Sequence, residues 1–133
     1  MDFTRPLPTP TPTSQPFWDG LNNHEVRLQH CDACDGWVFY PRSHCPHCLS
    51  DQLSWQQVSG HGNVYSFTIA RRPTAPQFSS EVPQLIAVVE LAEGVRMNTL
   101  LVNTEEESLK VGMAVKPVFT AFEDCSLLFF EPA

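Results

Sequence analysis

Basic residues, glycines and long apolar runs are all scarce in this chain. Only 8 of its 133 residues are Lys or Arg, against 15 Asp or Glu, which gives a formal net charge of −7. This balance disfavours nucleic-acid binding, where phosphate contacts usually require a basic surface. No apolar run approaches the roughly 20 residues that span a bilayer, and the N-terminus lacks the apolar core of a secretory signal. We therefore expect a cytoplasmic protein without a membrane segment.

The sequence motifs of common catalytic sites are also missing. GxSxG, the P-loop and GxGxxG do not occur, and the carboxylates suggest no acid–base pair. The run Glu105-Glu106-Glu107 lies between two apolar segments, where a solvated loop is expected. The sequence therefore predicts no catalytic residue in this chain.

The N-terminal segment is rich in proline, which fixes φ and removes a backbone donor. Residues 1–13 are predicted to form an extended, proline-rich arm, either a free tail or a segment that lies along a partner subunit. A short helix should follow and end near Asn22-Asn23. Ser14 is a plausible N-cap, and the apolar residues that share one face of this helix are Phe17, Trp18 and Leu21.

Four cysteines form two Cys-x-x-Cys pairs separated by ten residues, namely Cys31, Cys34, Cys45 and Cys48. Each pair can present two thiolates to one tetrahedral ion, so the spacing predicts a zinc ribbon, with iron as the alternative. Two disulfides are a further alternative, which a reducing compartment disfavours. A site with four sulfur ligands has no open position for water, so this metal is expected to be structural.

Three histidines flank the cysteine pairs and could each replace one cysteine as a ligand: His30, His44 and His47. Four correctly spaced sulfurs already complete a site, which favours the all-cysteine set. The fifth cysteine, Cys125, precedes an apolar segment and is predicted to be an ordinary buried thiol.

Short alternating segments after residue 53 predict five β-strands, at residues 63–69, 85–91, 96–102, 113–119 and 126–130. A bulge is expected where the first of them begins. A five-stranded antiparallel barrel of the OB type would remove the exposed edges of such a sheet. A small open sandwich is the alternative. We therefore predict a mainly β protein with a short helix and zinc ribbon at residues 14–52 and an OB-fold at 53–133.

One local basic cluster, Arg71-Arg72, follows the first of these strands, and Arg42 lies beside the cysteine pairs. Guanidinium groups suit phosphate oxygens, so these arginines are candidate ligands for the phosphates of a nucleotide-like cofactor such as coenzyme A. A solvated loop without a ligand is an equally good interpretation of the same residues.

The chain resembles the DUF35 family in residues 16–21, 28–34 and 40–48. The resemblance continues through Trp55 and residues 59–68, 93–97 and 111–115. The resemblance covers roughly residues 14–130. It implies a rubredoxin-like zinc ribbon, an OB-fold and the four cysteines as zinc ligands. One departure is Asp35, where the family often has glycine; Gly36 is expected to serve the turn instead.

The resemblance also implies a function. Family members act as accessory subunits of thiolase-superfamily or lipid-transfer-protein-like enzymes and help to bind acyl-CoA. We therefore expect a non-catalytic subunit of a hetero-oligomer that shares a coenzyme A thioester with its partner. Retro-aldol cleavage in steroid side-chain degradation is the favoured reaction, with a thiolase or acyltransferase as alternatives. An OB-fold nucleic-acid-binding module is the alternative of another class, and the charge disfavours it.

Overall fold

The computed structural model describes residues 7–73, 75–122 and 125–133. Within these residues it contains one α-helix and eight β-strands, joined by loops and two short 3₁₀ turns. The elements are α1 (Gln15–Asn22), β1 (Val26–Cys31), β2 (Trp37–Val38), β3 (Leu53–Val58), β4 (Gly62–Ala70), β5 (Gln84–Leu91), β6 (Arg96–Leu100), β7 (Ala114–Ala121) and β8 (Ser126–Pro132). The predicted mainly β architecture with one short helix is confirmed.

Helix α1 begins where the sequence predicts, but its first turn is held differently. Ser14 precedes the helix, yet its hydroxyl makes no capping bond to the helix and instead accepts the Thr11 N–H at 2.9 Å. Phe17 and Leu21 are buried, and Trp18 is half-buried. The apolar face therefore docks on the rest of the domain, as a helix of only two turns requires. None of the described helices has the length and apolar character of a membrane span.

The first sheet has three antiparallel strands in the order β2-β1-β3. The central strand β1 pairs with β3 along its whole length, from Val26 opposite Val58 to Cys31 opposite Leu53. Strand β2 pairs with β1 only through Trp37 and Val38. Both cysteine pairs lie at one end of this sheet, where Cys31 is opposite Leu53.

The second sheet has five antiparallel strands in the order β6-β5-β4-β7-β8. All five predicted strands are present, with ends shifted by one to two residues in most cases. The predicted bulge lies inside β4, where the register with β5 shifts between Val64 and Ser66. No continuous ladder closes this sheet among the described residues. Its edge strands meet at a single parallel bridge between Leu101 and Phe130, as in a partly open OB-type barrel.

The two sheets share one hydrophobic core. Leu28 of β1 packs into the same cluster as Val64, Val89 and Phe130 of the second sheet. Gly60, between β3 and β4, has a φ of +77° and lies so close to both sheets that a Cβ would be 2.9 Å from Val26 and from Pro117. The helix, ribbon and barrel are therefore packed as one unit.

Candidate metal centre and apolar cleft

The four predicted ligand cysteines converge. The Sγ atoms of Cys31, Cys34, Cys45 and Cys48 all lie within 4.8 Å of one another. The Cys31 and Cys48 sulfurs are 3.6 Å apart, and the Cys34 and Cys45 sulfurs are 3.7 Å apart. A disulfide requires about 2.05 Å, whereas a tetrahedral ion with zinc–sulfur bonds of about 2.3 Å separates its ligands by about 3.8 Å. The arrangement therefore fits a tetrahedral metal and excludes the disulfide alternative.

Both cysteine pairs adopt the same backbone turn. The Asp35 N–H donates to the Cys31 carbonyl at 2.8 Å, and the Leu49 N–H donates to the Cys45 carbonyl at 2.9 Å. Asp35 and Leu49 have φ values of 62° and 65°, in the left-handed region that favours glycine. Asp35 takes the left-handed conformation, and Gly36 takes part in the first turn as expected, since its carbonyl accepts the Cys31 N–H at 2.8 Å. Space at Gly36 is tight, since a Cβ there would be 3.1 Å from the His47 ring and 3.3 Å from the Cys34 sulfur.

The sulfurs differ in their electrostatic surroundings. Desolvation raises the pKa of Cys45, but N–H groups of Cys48 and His47 outweigh it and lower this pKa to about 6. The Gly36 N–H lowers the pKa of Cys34, whereas the neighbouring thiols and burial raise it to about 12. Adjacent thiolates repel one another, and a nearby cation offsets that repulsion. A divalent metal would stabilise all four thiolates and release their protons.

The three flanking histidines lie outside the four-sulfur group. His30 contacts Asp32, with Nδ1 to Oδ1 at 3.1 Å, and its ring packs edge-on against Trp37. His44 contacts the Ser43 hydroxyl at 3.0 Å. His47 approaches the site through its backbone N–H, which donates to the Cys45 sulfur at 3.4 Å. The histidine alternatives therefore receive no support from the geometry.

The three candidate arginines are all exposed, in two loops of the molecule. Arg71 pairs with Glu106, with Nη2 to Oε2 at 3.0 Å. The Arg42 backbone is held by Gln29, whose side-chain amide bonds both its N–H and its carbonyl at 2.8 Å. Gln29 is 5% exposed and is not among the residues predicted from the sequence. The sequence feature that could have indicated this role is that Gln29, a polar residue, directly follows the apolar Leu28 in a strand. Coenzyme A binding by Arg42, Arg71 and Arg72 stays a prediction.

Cys125, the fifth cysteine, immediately precedes β8 and lies outside the four-sulfur group. It is half-buried, so the predicted buried thiol is only partly covered.

An apolar cleft of about 420 Å³ lies between α1 and the edge strands of the second sheet. We call it the seam cleft. It is lined by Phe17, Trp18 and Leu21 of α1, by Phe39, Tyr40 and Phe78 of loops, and by residues of β5, β6 and β8, namely Gln84, Ile86, Met97–Leu100 and Leu127–Phe129. The indole Nε1 of Trp18 is buried and has no hydrogen-bond partner among the described residues. The sequence does not predict this cleft, because its lining residues come from distant segments.

Comparison with known proteins identifies the family. The rubredoxin-like zinc ribbon domain of ChsH2 matches residues 18–54, and the C-terminal OB-fold domain of ChsH2 matches residues 55–120. A DUF35 domain-containing scaffold protein of Methanothermobacter thermautotrophicus is 35% identical over 91 residues, which are 67% of each chain. The chain belongs to the DUF35 family. The zinc ribbon match and the four converging sulfurs together support a structural zinc ion.

Two other relatives are longer proteins. The chain is 36% identical to the 3-oxo-4,17-pregnadiene-20-carboxyl-CoA hydratase alpha subunit of Mycobacterium tuberculosis, over 87% of this chain and 36% of that protein. It is 34% identical to a probable enoyl-CoA hydratase alpha subunit of Thermomonospora curvata, over 88% of this chain and 37% of that protein. The chain thus spans about a third of the length of these two relatives.

Two solved structures share the DUF35 fold. One is described as the Ltp2-ChsH2(DUF35) aldolase, with a TM-score of 0.83 and 30% identity over 95% of this chain and 98% of that chain. The other is a DUF35 protein of unknown function from Sulfolobus solfataricus, with a TM-score of 0.64 and 20% identity over 92% of this chain and 86% of that chain.

Proposed function

We propose that this DUF35 chain is a non-catalytic accessory subunit of a heteromeric, thiolase-like enzyme that acts on acyl-CoA. The observation that carries the proposal is the likeness to a chain of the Ltp2-ChsH2(DUF35) aldolase, because it extends over nearly the full length of both chains. The names of two relatives, both alpha subunits of acyl-CoA hydratases, support an assembly with a second subunit.

The chemistry of the metal site supports a non-catalytic role. Four sulfur ligands complete a tetrahedral zinc, which leaves no position for a substrate or a reactive water. When bound, the ion supplies folding free energy and holds the two cysteine pairs together. Cys31 and Cys45 are buried and anchor this centre to the first sheet, so the bound ion would stiffen the ribbon. Bond-making and bond-breaking would then belong to the partner subunit.

Acyl-CoA is the substrate class that both the relatives' names and the arginines favour. Arg71, Arg72 and Arg42 are candidate contacts for the phosphates of coenzyme A, in a path shared with the partner. Exposed guanidinium groups are available for such contacts once the partner is in place, although Arg71 must exchange its pairing with Glu106. In this arrangement the subunit orders the acyl-CoA and stabilises the complex.

Among possible reactions we favour retro-aldol cleavage of a β-hydroxyacyl-CoA, as in steroid side-chain degradation, with a thiolase or an acyltransferase as the alternatives. The reaction breaks one carbon–carbon bond and yields a ketone and a shortened acyl-CoA. The proposal is tested by co-expression of this chain with a thiolase-superfamily protein of the same organism. We expect one stable complex by size-exclusion chromatography and cleavage activity from it. A partner that is equally soluble and active without this chain would contradict the proposal.

A further inference from the structure

Strand β3 forms one edge of the first sheet, and no strand among the described residues pairs with its outer side. It has six residues, Leu-Ser-Trp-Gln-Gln-Val, with neither a charge nor a proline. The edge strands of the second sheet differ, because β6 carries Arg96, β8 carries Glu131, and a bridge between Leu101 and Phe130 connects the two edges. Charged residues, prolines and bulges usually protect a sheet edge from further pairing. Strand β3 lacks this protection and can accept another strand.

The hydrogen bonds of β1 show which groups of β3 point outwards. The Asp32 N–H donates to the Gln52 carbonyl at 2.8 Å, which extends the pairing of β1 with β3 by one residue. Because bonded and non-bonded pairs alternate along an antiparallel ladder, the even-numbered residues of β3 bond to β1. The odd-numbered residues direct their N–H and C=O groups away from β1, namely Leu53, Trp55 and Gln57.

Two of these three outward N–H groups are open. The Leu53 N–H donates to the Asp51 carbonyl of its own loop at 2.8 Å. The N–H groups of Trp55 and Gln57 have no acceptor among the described residues. Gln57 is exposed and Trp55 is half-buried. The open edge of β3 therefore offers two donors, together with the carbonyls of the same strand, to an incoming strand.

The charges around β3 favour a second copy of this chain in antiparallel orientation. Two copies with a net charge of −7 each repel one another, so their acidic groups must stay apart. Asp32 and Asp51 both lie at the Leu53 end of the strand. Near the other end, Arg27 pairs with Glu25 at 2.8 Å, and this pair is neutral. Antiparallel pairing therefore separates the two acidic ends by roughly 26 Å, which exceeds the Debye length of about 8 Å.

We propose that β3 pairs antiparallel with β3 of a second copy, so that two three-stranded sheets form one six-stranded sheet across a two-fold axis. Trp55 lies opposite its own copy. Each Trp55 N–H then donates to the Trp55 carbonyl of the other copy, and each Gln57 N–H donates to the Leu53 carbonyl of the other copy. All four open N–H groups gain acceptors, and the two indoles form a cross-strand pair. The interface is isologous, as in most symmetric dimers, and it does not depend on the proposed function.

The association of the zinc-loaded, full-length chain tests the proposal. Six residues from each copy make a small interface, so we expect a reversible equilibrium between monomer and dimer. Sedimentation equilibrium between about 5 and 500 μM measures it, with mainly monomer at the lower concentration and mainly dimer at the higher. A monomer throughout this range would overturn the proposal.

Amide hydrogen exchange locates the interface at single residues. The amides of Trp55 and Gln57 should exchange at least about fivefold more slowly in the dimer, because both then lie in a ladder. The Gln56 amide bonds to β1 and should be equally protected at both concentrations. A dimer in which the Trp55 and Gln57 amides exchange as fast as in the monomer would use another surface and would contradict the proposal.

Gln57→Pro and Gln57→Ala form a matched pair of variants. Proline removes the outward N–H and leaves the bonds between β3 and β1 intact, since Gln57 does not bond to β1. We expect Gln57→Pro to weaken dimerisation at least about tenfold while zinc content and spectral dispersion are retained. Gln57→Ala keeps the N–H and should dimerise like the native chain. Equal dimerisation of the two variants would show that this N–H is not part of the interface.

Charge reversal at Trp55 tests the register and does not depend on the proline variant. Trp55→Lys alone places two like charges opposite one another and should be monomeric, as should Trp55→Glu. An equimolar mixture should form a mixed dimer, because opposite charges then face each other. A mixture that stays monomeric would show that the two Trp55 residues do not meet.

A partner enzyme separates this proposal from the proposed function. If the chain alone stays monomeric and the Trp55 and Gln57 amides become protected only in a complex with another subunit, the edge accepts a strand of that subunit and self-pairing is wrong. If the chain dimerises through β3 and forms no complex with a thiolase-like protein, the dimer proposal stands and the accessory-subunit proposal fails.

Discussion

Asp35 and Leu49 occupy the same backbone position in the two cysteine turns, with φ values of 62° and 65°. Each follows the second cysteine of its pair, and each donates its N–H to the carbonyl of the first. Neither is glycine, although a left-handed conformation disfavours any residue with a Cβ. Leu49 is 77% exposed, so its side chain stabilises the fold little in return. The two turns therefore have the same geometry, but Asp35 suits the left-handed position better than Leu49 does.

Replacement of Leu49 by glycine should stabilise the zinc ribbon. We expect Leu49→Gly to raise the free energy of unfolding by about 0.5–1 kcal/mol, because the strain of the left-handed residue exceeds the added entropy of the unfolded chain. Chemical denaturation of the zinc-loaded protein measures this change in the free energy of unfolding. The matched control is Ala33→Gly in the first turn, where φ is not positive; it should lower stability. A loss of stability in both variants would contradict the argument.

We expect one zinc ion per chain. Substitution of a ligand cysteine should therefore change the zinc content, and substitution of the remaining cysteine should not. Cys45→Ser removes a buried ligand, so zinc content should fall from one per chain to near zero and the ribbon should unfold. Cys125→Ser, outside the four-sulfur group, should retain full zinc content. Elemental analysis after gel filtration checks both. Zinc loss in the Cys125 variant, or iron in place of zinc, would show the assignment to be wrong.

Acid should release this zinc ion. Each ligand must be a thiolate to bind, so protons compete with zinc and the affinity falls as the pH falls. Titration from pH 8 towards pH 4 with a zinc-sensitive dye should show release accompanied by loss of the ribbon fold. Retention of zinc throughout, or release on raising the pH, would contradict a site made of four thiolates.

The sequence predicted the metal ligands because two Cys-x-x-Cys pairs encode the site locally. It also placed α1 and the five strands of the second sheet, where β-branched residues alternate. It could not reveal that Gln29 clamps Arg42, since that contact spans thirteen residues and depends on the packing of β1. The seam cleft was equally hidden, because it depends on how far β6 and β8 separate. Contacts between distant segments are set by packing.

Gly62, at the start of β4, should be irreplaceable for steric reasons. A Cβ at this position would overlap the backbone carbonyl of Glu90 on the adjacent strand β5. We therefore expect Gly62→Ala to reduce the free energy of unfolding by about 2–3 kcal/mol. Gly94 has a φ of +91° and open space around it, so Gly94→Ala should cost only about 1 kcal/mol. Equal effects in thermal unfolding would show that the close approach to Glu90 is unimportant.

The candidate coenzyme A contacts predict a kinetic signature in the partner complex. Loss of both guanidinium groups in Arg71→Ala/Arg72→Ala should raise the KM for acyl-CoA by about tenfold and leave kcat unchanged, because phosphate contacts are equally strong in ground and transition states. Arg96→Ala is the matched control, since Arg96 is held by Glu90 at 2.9 Å and by the Tyr65 ring. An unchanged KM in the double variant would remove these residues from the site.

The most direct test of the accessory-subunit account is the rate of acyl-CoA cleavage by the partner as this chain is added. The account predicts little activity from either protein alone and a rate that rises to a plateau at a fixed stoichiometric ratio. Zinc-depleted chain should fail to restore the rate, because the ribbon then loses its fold. Full activity of the partner alone, or cleavage by this chain alone, would contradict the account.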